Sequence, residues 1–160
     1  MKFATAAAAV ATAVAAAIYV RSKSRWRYHR WWNRPTLPDF APITVGVIGC
    51  ANIAKKNVRA MTLIPNVRCV AVASRSINKA RAWVEELQSA GVDVAGIQAM
   101  EGYEVLLANK TIDAVYIPLP TSMHLAWVER AVAHGKHVLL EKPIALSKAD
   151  AQRIVDLQCG

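Results

Sequence analysis

Cysteine is scarce in this sequence and is not arranged for cross-linking or metal binding. The three cysteines among the 160 residues are Cys50, Cys69 and Cys159, with no Cys-x-x-Cys pair. Their number and spacing exclude a disulfide framework and a thiolate metal centre. We therefore predict structural thiols in a reducing compartment and no metal site.

Acidic residues are missing from the first 38 positions, which hold seven of the 20 lysines and arginines. The 13 basic residues between 39 and 160 are opposed by 11 acidic ones, so the net charge of +9 belongs mostly to the N-terminal tail. A nucleic-acid-binding domain would group basic residues on its folded part. We therefore expect no nucleic-acid partner.

Charge is also missing from residues 3–20, an alanine-rich run without leucine. As a helix this run would extend about 27 Å, which is marginally enough to cross the apolar core of a membrane. Residues 21–34 follow with six basic residues interleaved with Trp and Tyr, a composition suited to a membrane surface. An apolar helix is therefore predicted ahead of the folded domain.

Three interpretations of this segment stay open. In the first, residues 1–20 are a membrane anchor, residues 3–32 contact the bilayer, and the positive-inside rule places the domain in the cytosol. In the second, they belong to a cleaved peptide that targets a mitochondrion or a plastid. In the third, they form a helix outside any membrane, in a soluble cytoplasmic protein. Residues 21–42, which end in three prolines, are predicted to be a linker.

From residue 43 onward, apolar runs alternate with amphipathic segments. Strands are predicted at 43–48, 68–74, 94–98, 113–117 and 137–140, and helices at 52–63, 77–89, 103–108, 122–134 and 147–157. Continuous apolar strands separated by helices indicate a parallel sheet covered on both faces. The predicted fold over residues 43–160 is therefore α/β, a doubly wound parallel sheet of the Rossmann type, with its ligand site at the carboxyl ends of the strands.

The first predicted strand runs into a turn that is suited to a pyrophosphate. Gly49 permits a tight turn, the small Ala51 permits close approach of the backbone, and the next helix offers its free N–H groups. A strand–turn–helix unit of this kind is typical of dinucleotide sites, although a tight turn without a ligand is the alternative. The residues predicted to contact the cofactor here are Gly46, Gly49, Cys50, Ala51, Asn52 and Ile53.

The second strand ends in Ser74, Arg75 and Ser76, where an NAD site has an acidic residue for the ribose 2′-hydroxyl. Arg75 instead suits a 2′-phosphate, with Ser74 as a hydrogen-bonding partner and Lys79 adding charge one helical turn later. These residues predict NADP as the cofactor. The alternative for Arg75 is an ordinary solvated side chain.

Two further motifs follow predicted strands at the same edge. In residues 118–124, prolines end the strand, and Thr121 or Ser122 is predicted to cap the next helix. His124 is predicted to lie beside the nicotinamide or, alternatively, at the surface. In residues 141–143, a lysine at a strand end is predicted to point into the cleft, where desolvation would make it an acid–base group.

Four segments, 46–54, 73–76, 115–124 and 135–143, together resemble the Gfo/Idh/MocA oxidoreductases, in particular the branch of dimeric dihydrodiol dehydrogenase and NADP-dependent D-xylose dehydrogenase. The resemblance runs from about residue 43 to the end of the chain. It implies an NADP-dependent dehydrogenase that transfers hydride between NADP and a sugar or diol carbon. It also implies a homodimer for a full-length protein.

The resemblance assigns roles to the later motifs. Lys142 is implied to serve catalysis by positioning the substrate hydroxyl and assisting its proton transfer. Contacts on the cofactor side are implied for Pro118, Leu119, Thr121, His124, Glu141, Lys142 and Pro143.

The family continues into a C-terminal substrate domain, which also carries its second catalytic residue. We expect this domain to be absent here, so that the chain is an N-terminal half. Two alternatives follow from that expectation: a non-catalytic dinucleotide-binding module, or a truncated fragment without activity.

Overall fold

The computed structural model describes residues 41–157. The predicted anchor, its targeting alternative and most of the linker therefore lie outside the described residues. None of the helices between residues 41 and 157 has the length and apolar composition that a membrane span requires.

Strands and helices alternate through the described residues. The strands are β1 (Ile43–Ile48), β2 (Val67–Ser74), β3 (Gln98–Glu101), β4 (Ala114–Ile117) and β5 (His137–Leu140), and the helices are α1 (Asn52–Met61), α2 (Ile77–Ser89), α3 (Tyr103–Ala108), α4 (His124–Ala133) and α5 (Lys148–Asp156). The five strands form one parallel sheet in the order β3-β2-β1-β4-β5. The chain thus builds one half of the sheet outward from β1, then crosses back to β4 and builds the other half, which confirms the predicted doubly wound parallel arrangement.

Two hydrophobic clusters cover the two faces of this sheet. On one face, buried residues of α1 and α2, among them Val58 and Trp83, pack against Val45 and Val47 of β1. On the other face, residues of α3 and α4, such as Leu106 and Val128, join Ile48 and Ile117. The central strands β1 and β4 are largely apolar on both sides because both faces of the sheet are covered there, and the strand ends project from this buried interior.

The third strand is displaced from its predicted position. The prediction was 94–98, whereas β3 is Gln98–Glu101. The N–H of Ile97 donates to the carbonyl of Val94 at 3.0 Å, and Gly96 between them has a φ of +87°. This turn buries Val94 and Ile97 partly against the core, so their apolar character reflects packing of a loop and not a strand.

The beginning of α4 also differs from the prediction. Neither Thr121 nor Ser122 caps the helix; residues Thr121–Met123 form a 3-10 turn, in which the N–H of Met123 donates to the Pro120 carbonyl at 2.8 Å. The helix then begins at His124 without a side-chain cap. Capping occurs instead at α5, where Ser147 Oγ accepts from the N–H of Asp150 at 3.1 Å.

Candidate functional site

The turn after β1 lies at the centre of the carboxyl edge of the sheet. Gly49 has a φ of +106°, which an L side chain rarely adopts, and its N–H donates to the Ala73 carbonyl of β2 at 2.8 Å. A Cβ at Gly49 would lie only 2.8 Å from Cδ2 of Leu119, in the loop after β4. The turn therefore passes between the ends of β2 and β4, at the point where the strand order reverses.

The amino end of α1 is open to solvent at this edge. Its N-cap residue, Ala51, has an extended backbone and offers no side-chain acceptor, and the first turn contains no acidic residue. Asn52 and Ile53 are exposed. An uncapped helix end with a partial positive charge suits an anionic group, which is the environment predicted for Cys50, Ala51, Asn52 and Ile53.

Ala54 completes the small-residue pattern and was not singled out from the sequence. It is fully buried, in the cluster that joins α1 to the sheet. The spacing of Gly49, Ala51 and Ala54 matches the dinucleotide fingerprint, whose third small residue allows close packing of helix on strand. That spacing was the available signal.

Gly46, predicted as a cofactor contact, has a different position. It lies buried inside β1, three residues before the turn, and a Cβ there would lie 2.7 Å from Cδ2 of Leu106. The space beside Gly46 is thus taken by a core side chain of α3. The structure assigns Gly46 to close packing of α3 on the sheet.

Positive charge gathers where β2 ends. Arg75 and Lys79 are exposed, and Ser74 is buried, at 4% exposure. Burial raises the pKa of the Cys50 thiol, whereas a hydrogen bond with Ser74 and the charges of Lys79 and Lys55 oppose the increase. The charges of these lysines therefore act at the turn that follows β1, where Lys55 is also paired with Glu86.

Arg75 has a neighbour that the sequence did not reveal. Burial raises the pKa of the Tyr103 phenol, and the nearby positive charge of the Arg75 guanidinium opposes that increase. Tyr103 is the first residue of α3.

A buried polar network holds Glu141 at the end of β5. Asn57 Nδ2 donates to the Tyr116 hydroxyl at 2.6 Å and to Glu141 Oε1 at 3.3 Å, and the Tyr116 hydroxyl donates to the same carboxylate oxygen. Asn57 is 6% and Tyr116 1% exposed. Burial, together with the adjacent carboxylate, raises the pKa of Tyr116, so the phenol remains a proton donor to Glu141.

Asn57 and Tyr116 were not predicted as site residues. The signal for each was a polar group in an otherwise buried setting, since Asn57 lies on the same helix face as Ala54, Val58 and Met61. Such groups require partners, but the sequence does not identify them.

The motif after Glu141 lies at the open surface. Lys142 and Pro143 are exposed, and the peptide bond between them is cis. Because Lys142 is exposed, the described residues do not supply the desolvation predicted for it. The backbone is nevertheless anchored: Glu141 N–H donates to the Ile117 carbonyl at 3.4 Å, and Lys142 N–H donates to Glu141 Oε2 at 3.2 Å.

His124 connects two loops and does not line an open cleft. Its side chain is buried, with Nε2 at 2.8 Å from the Leu119 carbonyl and Nδ1 at 3.2 Å from the Ile144 carbonyl. Both partners are carbonyl oxygens, so each ring nitrogen that carries a proton donates to the carbonyl that it faces. The ring thus fixes the loop after β4 beside the loop after β5. Near it, Pro118 is buried and Thr121 half-buried.

These elements define a dinucleotide-binding domain: a parallel sheet with a reversal of strand order, a glycine turn beneath an uncapped helix end, and an arginine at the end of the second strand. The chain belongs to the oxidoreductase family GFO_IDH_MocA, described as having an NAD-binding Rossmann fold, whose family model matches residues 43–158. The resemblance found in the sequence is therefore confirmed.

Relatives of the chain include sugar-converting enzymes. It is 46% identical over 116 residues to a dTDP-3,4-didehydro-2,6-dideoxy-alpha-D-glucose 3-reductase of Streptomyces violaceoruber, with 72% of this chain and 32% of that protein covered. It is 38% identical over 112 residues to the NADP-dependent D-xylose 1-dehydrogenase 2 of Haloferax volcanii, with 69% and 32% covered. The chain thus spans about a third of the length of these relatives.

A solved structure shows the same likeness. A 3-ketoreductase from Actinomadura kijaniata, determined with NADP and TDP-benzene, superposes with a TM-score of 0.64 and 39% identity, over 72% of this chain and 34% of that one. NADP, the cofactor predicted from Arg75, is the nucleotide bound in that relative. The sugar 3-reductases themselves were not foreseen from the sequence.

Proposed function

We propose that this chain forms the NADP-binding part of an oxidoreductase that interconverts a hydroxyl and a carbonyl group on a sugar. The observation that carries the proposal is Arg75, placed at the carboxyl end of β2 where an NAD site needs a carboxylate. The relatives named as sugar 3-reductase and D-xylose dehydrogenase support a sugar substrate.

The described residues fit a dinucleotide. The pyrophosphate is assigned to the uncapped end of α1. Below it, Gly49 has no side chain and Ala51 has only a methyl group, so the backbone can approach the ligand closely. The adenosine 2′-phosphate is assigned to Arg75, with Ser74 and Lys79 nearby. The nicotinamide side is assigned to the loop of Leu119 and to Glu141, which lie on the β4 and β5 side of the turn.

NADP supplies the hydride acceptor or donor when it is bound. The chain's own residues then have separate tasks. The network of Asn57 and Tyr116 fixes Glu141, and the anchored backbone after Glu141 presents Lys142 at the edge of the cleft. Lys142 is assigned to the reacting oxygen of the substrate. Its ammonium form orients the carbonyl oxygen and gives it a proton during reduction, and its neutral amine form takes the hydroxyl proton during oxidation. Full turnover additionally needs the substrate domain that the family resemblance implies.

The place of the protein in the cell is part of the proposal. Residues 1–34 carry the apolar and basic–aromatic pattern that favours a tether to a membrane or targeting to an organelle. The folded domain would then act at a membrane surface or inside that organelle.

The test is a titration of the 160-residue chain with NADPH and with NADH. We expect NADPH to bind more tightly, because a hydrogen bond to a charged group contributes about 1.5–3 kcal/mol. Arg75→Ala should therefore lower NADPH affinity about 10- to 100-fold and leave NADH affinity nearly unchanged. Arg81→Ala, at an exposed position further along α2, is the matched control and should have no effect. Failure to bind either nucleotide, or tighter binding of NADH, would refute the proposal.

A further inference from the structure

Arg75 alone is a poorly ordered receptor for a phosphate. Its side chain is exposed and belongs to none of the ion pairs formed within residues 41–157. A long side chain that is free in solution loses rotamer freedom when it binds a ligand, so an exposed arginine gains affinity when a neighbour fixes it beforehand.

The sheet register places Tyr103 beside Arg75. Ser74 and Glu101 are paired in the β2–β3 ladder, and the N–H of Gly102 donates to the Ser74 carbonyl at 2.8 Å. Arg75, directly after β2, and Tyr103, two residues after the end of β3, therefore lie on neighbouring strand ends at the carboxyl edge. The positive charge of Arg75 acts on the Tyr103 phenol at this edge, where it opposes the increase in pKa that burial causes.

The ring of Tyr103 is itself held by its surroundings. It meets the Trp127 ring of α4 edge to face, with centroids 4.9 Å apart and an interplanar angle of 86°. The guanidinium of Arg130 lies 4.7 Å from the Trp127 ring centroid and forms an ion pair with Glu104 at 2.6 Å. This series of contacts ties Tyr103, on α3, to α4.

A neutral hydroxyl suits the role better than a carboxylate would. A carboxylate beside Arg75 would neutralise its charge and compete with a phosphate. A phenol oxygen occupies one of the five N–H donors of a guanidinium and leaves the others, and the full charge, for a ligand.

We propose that Tyr103 is a positioning residue that sets the preference for NADPH over NADH, by holding Arg75 in place for the adenosine 2′-phosphate. This inference rests on the proposed function, because it requires a nucleotide at the carboxyl edge. The inference assigns the preference for NADPH to the pair Arg75 and Tyr103, and not to Arg75 alone.

The test compares NADPH and NADH binding by the whole chain and by Tyr103→Phe, which keeps the ring and removes the hydroxyl. We expect NADPH affinity to fall about two- to tenfold, the effect of one hydrogen bond, with NADH affinity unchanged. NADH binding reports directly that the variant is folded. Val105→Ala, at an exposed position on the same helix, is the matched control and should change neither affinity.

A double variant separates positioning from packing. In Arg75→Ala the further change Tyr103→Phe should have no additional effect, because the hydroxyl acts only through the guanidinium. If Tyr103→Phe leaves the ratio of NADPH affinity to NADH affinity unchanged while Arg75→Ala abolishes the preference for NADPH, the tyrosine has only a structural role. In that case this inference fails and the proposed function stands. If the unaltered chain binds neither nucleotide, the proposed function fails and the inference fails with it.

Discussion

Gly46→Ala is expected to destabilise the domain without weakening nucleotide binding. The new Cβ would lie 2.7 Å from Cδ2 of Leu106, and 3.1 Å from both its Cδ1 and Cγ. Carbon atoms in contact prefer about 3.5–4.0 Å, so three atoms would be too close. Leu106 is fully buried and cannot move outward into solvent, so the strain must spread into the core.

The expected cost of this substitution is about 1–3 kcal/mol, as for other overpacked cores. That is a substantial part of the roughly 5–15 kcal/mol that stabilises a typical domain, and it corresponds to a decrease of about 3–12 °C in melting temperature. Urea denaturation and thermal melting measure the loss. NADPH titration of the folded variant then separates packing from ligand contact.

Leu106→Ala provides the decisive comparison, because it removes all three crowded atoms. Alone it should cost about 2–5 kcal/mol through the cavity that it leaves. Combined with Gly46→Ala it should cost no more, since the added methyl group then enters vacant space. Additive losses in the double variant would refute the packing argument. A stable Gly46→Ala variant with weakened NADPH binding would instead restore Gly46 to the cofactor site.

Two further predictions concern buried groups. Burial raises the pKa of Cys69 from 9.0 to about 12, so its contribution to stability is complete below about pH 9 and is lost as the pH rises towards 12. Urea midpoints of the unaltered chain should therefore fall relative to those of Cys69→Ala between about pH 9 and pH 11. Parallel midpoints would contradict this. Tyr116→Phe should lower the free energy of unfolding by about 1–3 kcal/mol, because Asn57 keeps only its 3.3 Å contact with Glu141. The same substitution should weaken NADPH binding. A variant as stable as the original chain would show that the network contributes nothing to stability.

The fold was largely predictable because its signals are local. The predicted ranges of β1, β2, β4 and β5 match the observed strands to within one residue. A strand that is covered on both faces consists of an uninterrupted run of apolar residues, which the sequence shows directly. The exception is instructive: Val94 and Ile97 are apolar because the loop packs on the core, and hydrophobicity alone does not separate that case from a strand. Gly96 between them was the contrary signal.

The candidate site was predictable only in part, and the division follows the distance along the chain. The Gly49 turn, Arg75 and the Glu141–Lys142 motif each consist of adjacent residues, so each shows its chemistry in the sequence. The contacts of Asn57 with Tyr116 and Glu141 span 59 and 84 residues. They exist because α1 packs on the face of the sheet next to β4, and that proximity is a property of the assembled fold.

The same distinction separates what selects a cofactor from what orders the selecting group. An arginine in place of an acidic residue at the end of β2 decides whether a phosphate is attracted. That residue type can be read from the sequence without a structure. How strongly the phosphate is held depends on how much freedom the arginine has already lost. That loss comes from Tyr103, which reaches Arg75 only because Ser74 and Glu101 are in register. Substitutions that shift the register of β3 should therefore reduce the preference for NADPH even though they leave every residue of the binding motif unchanged.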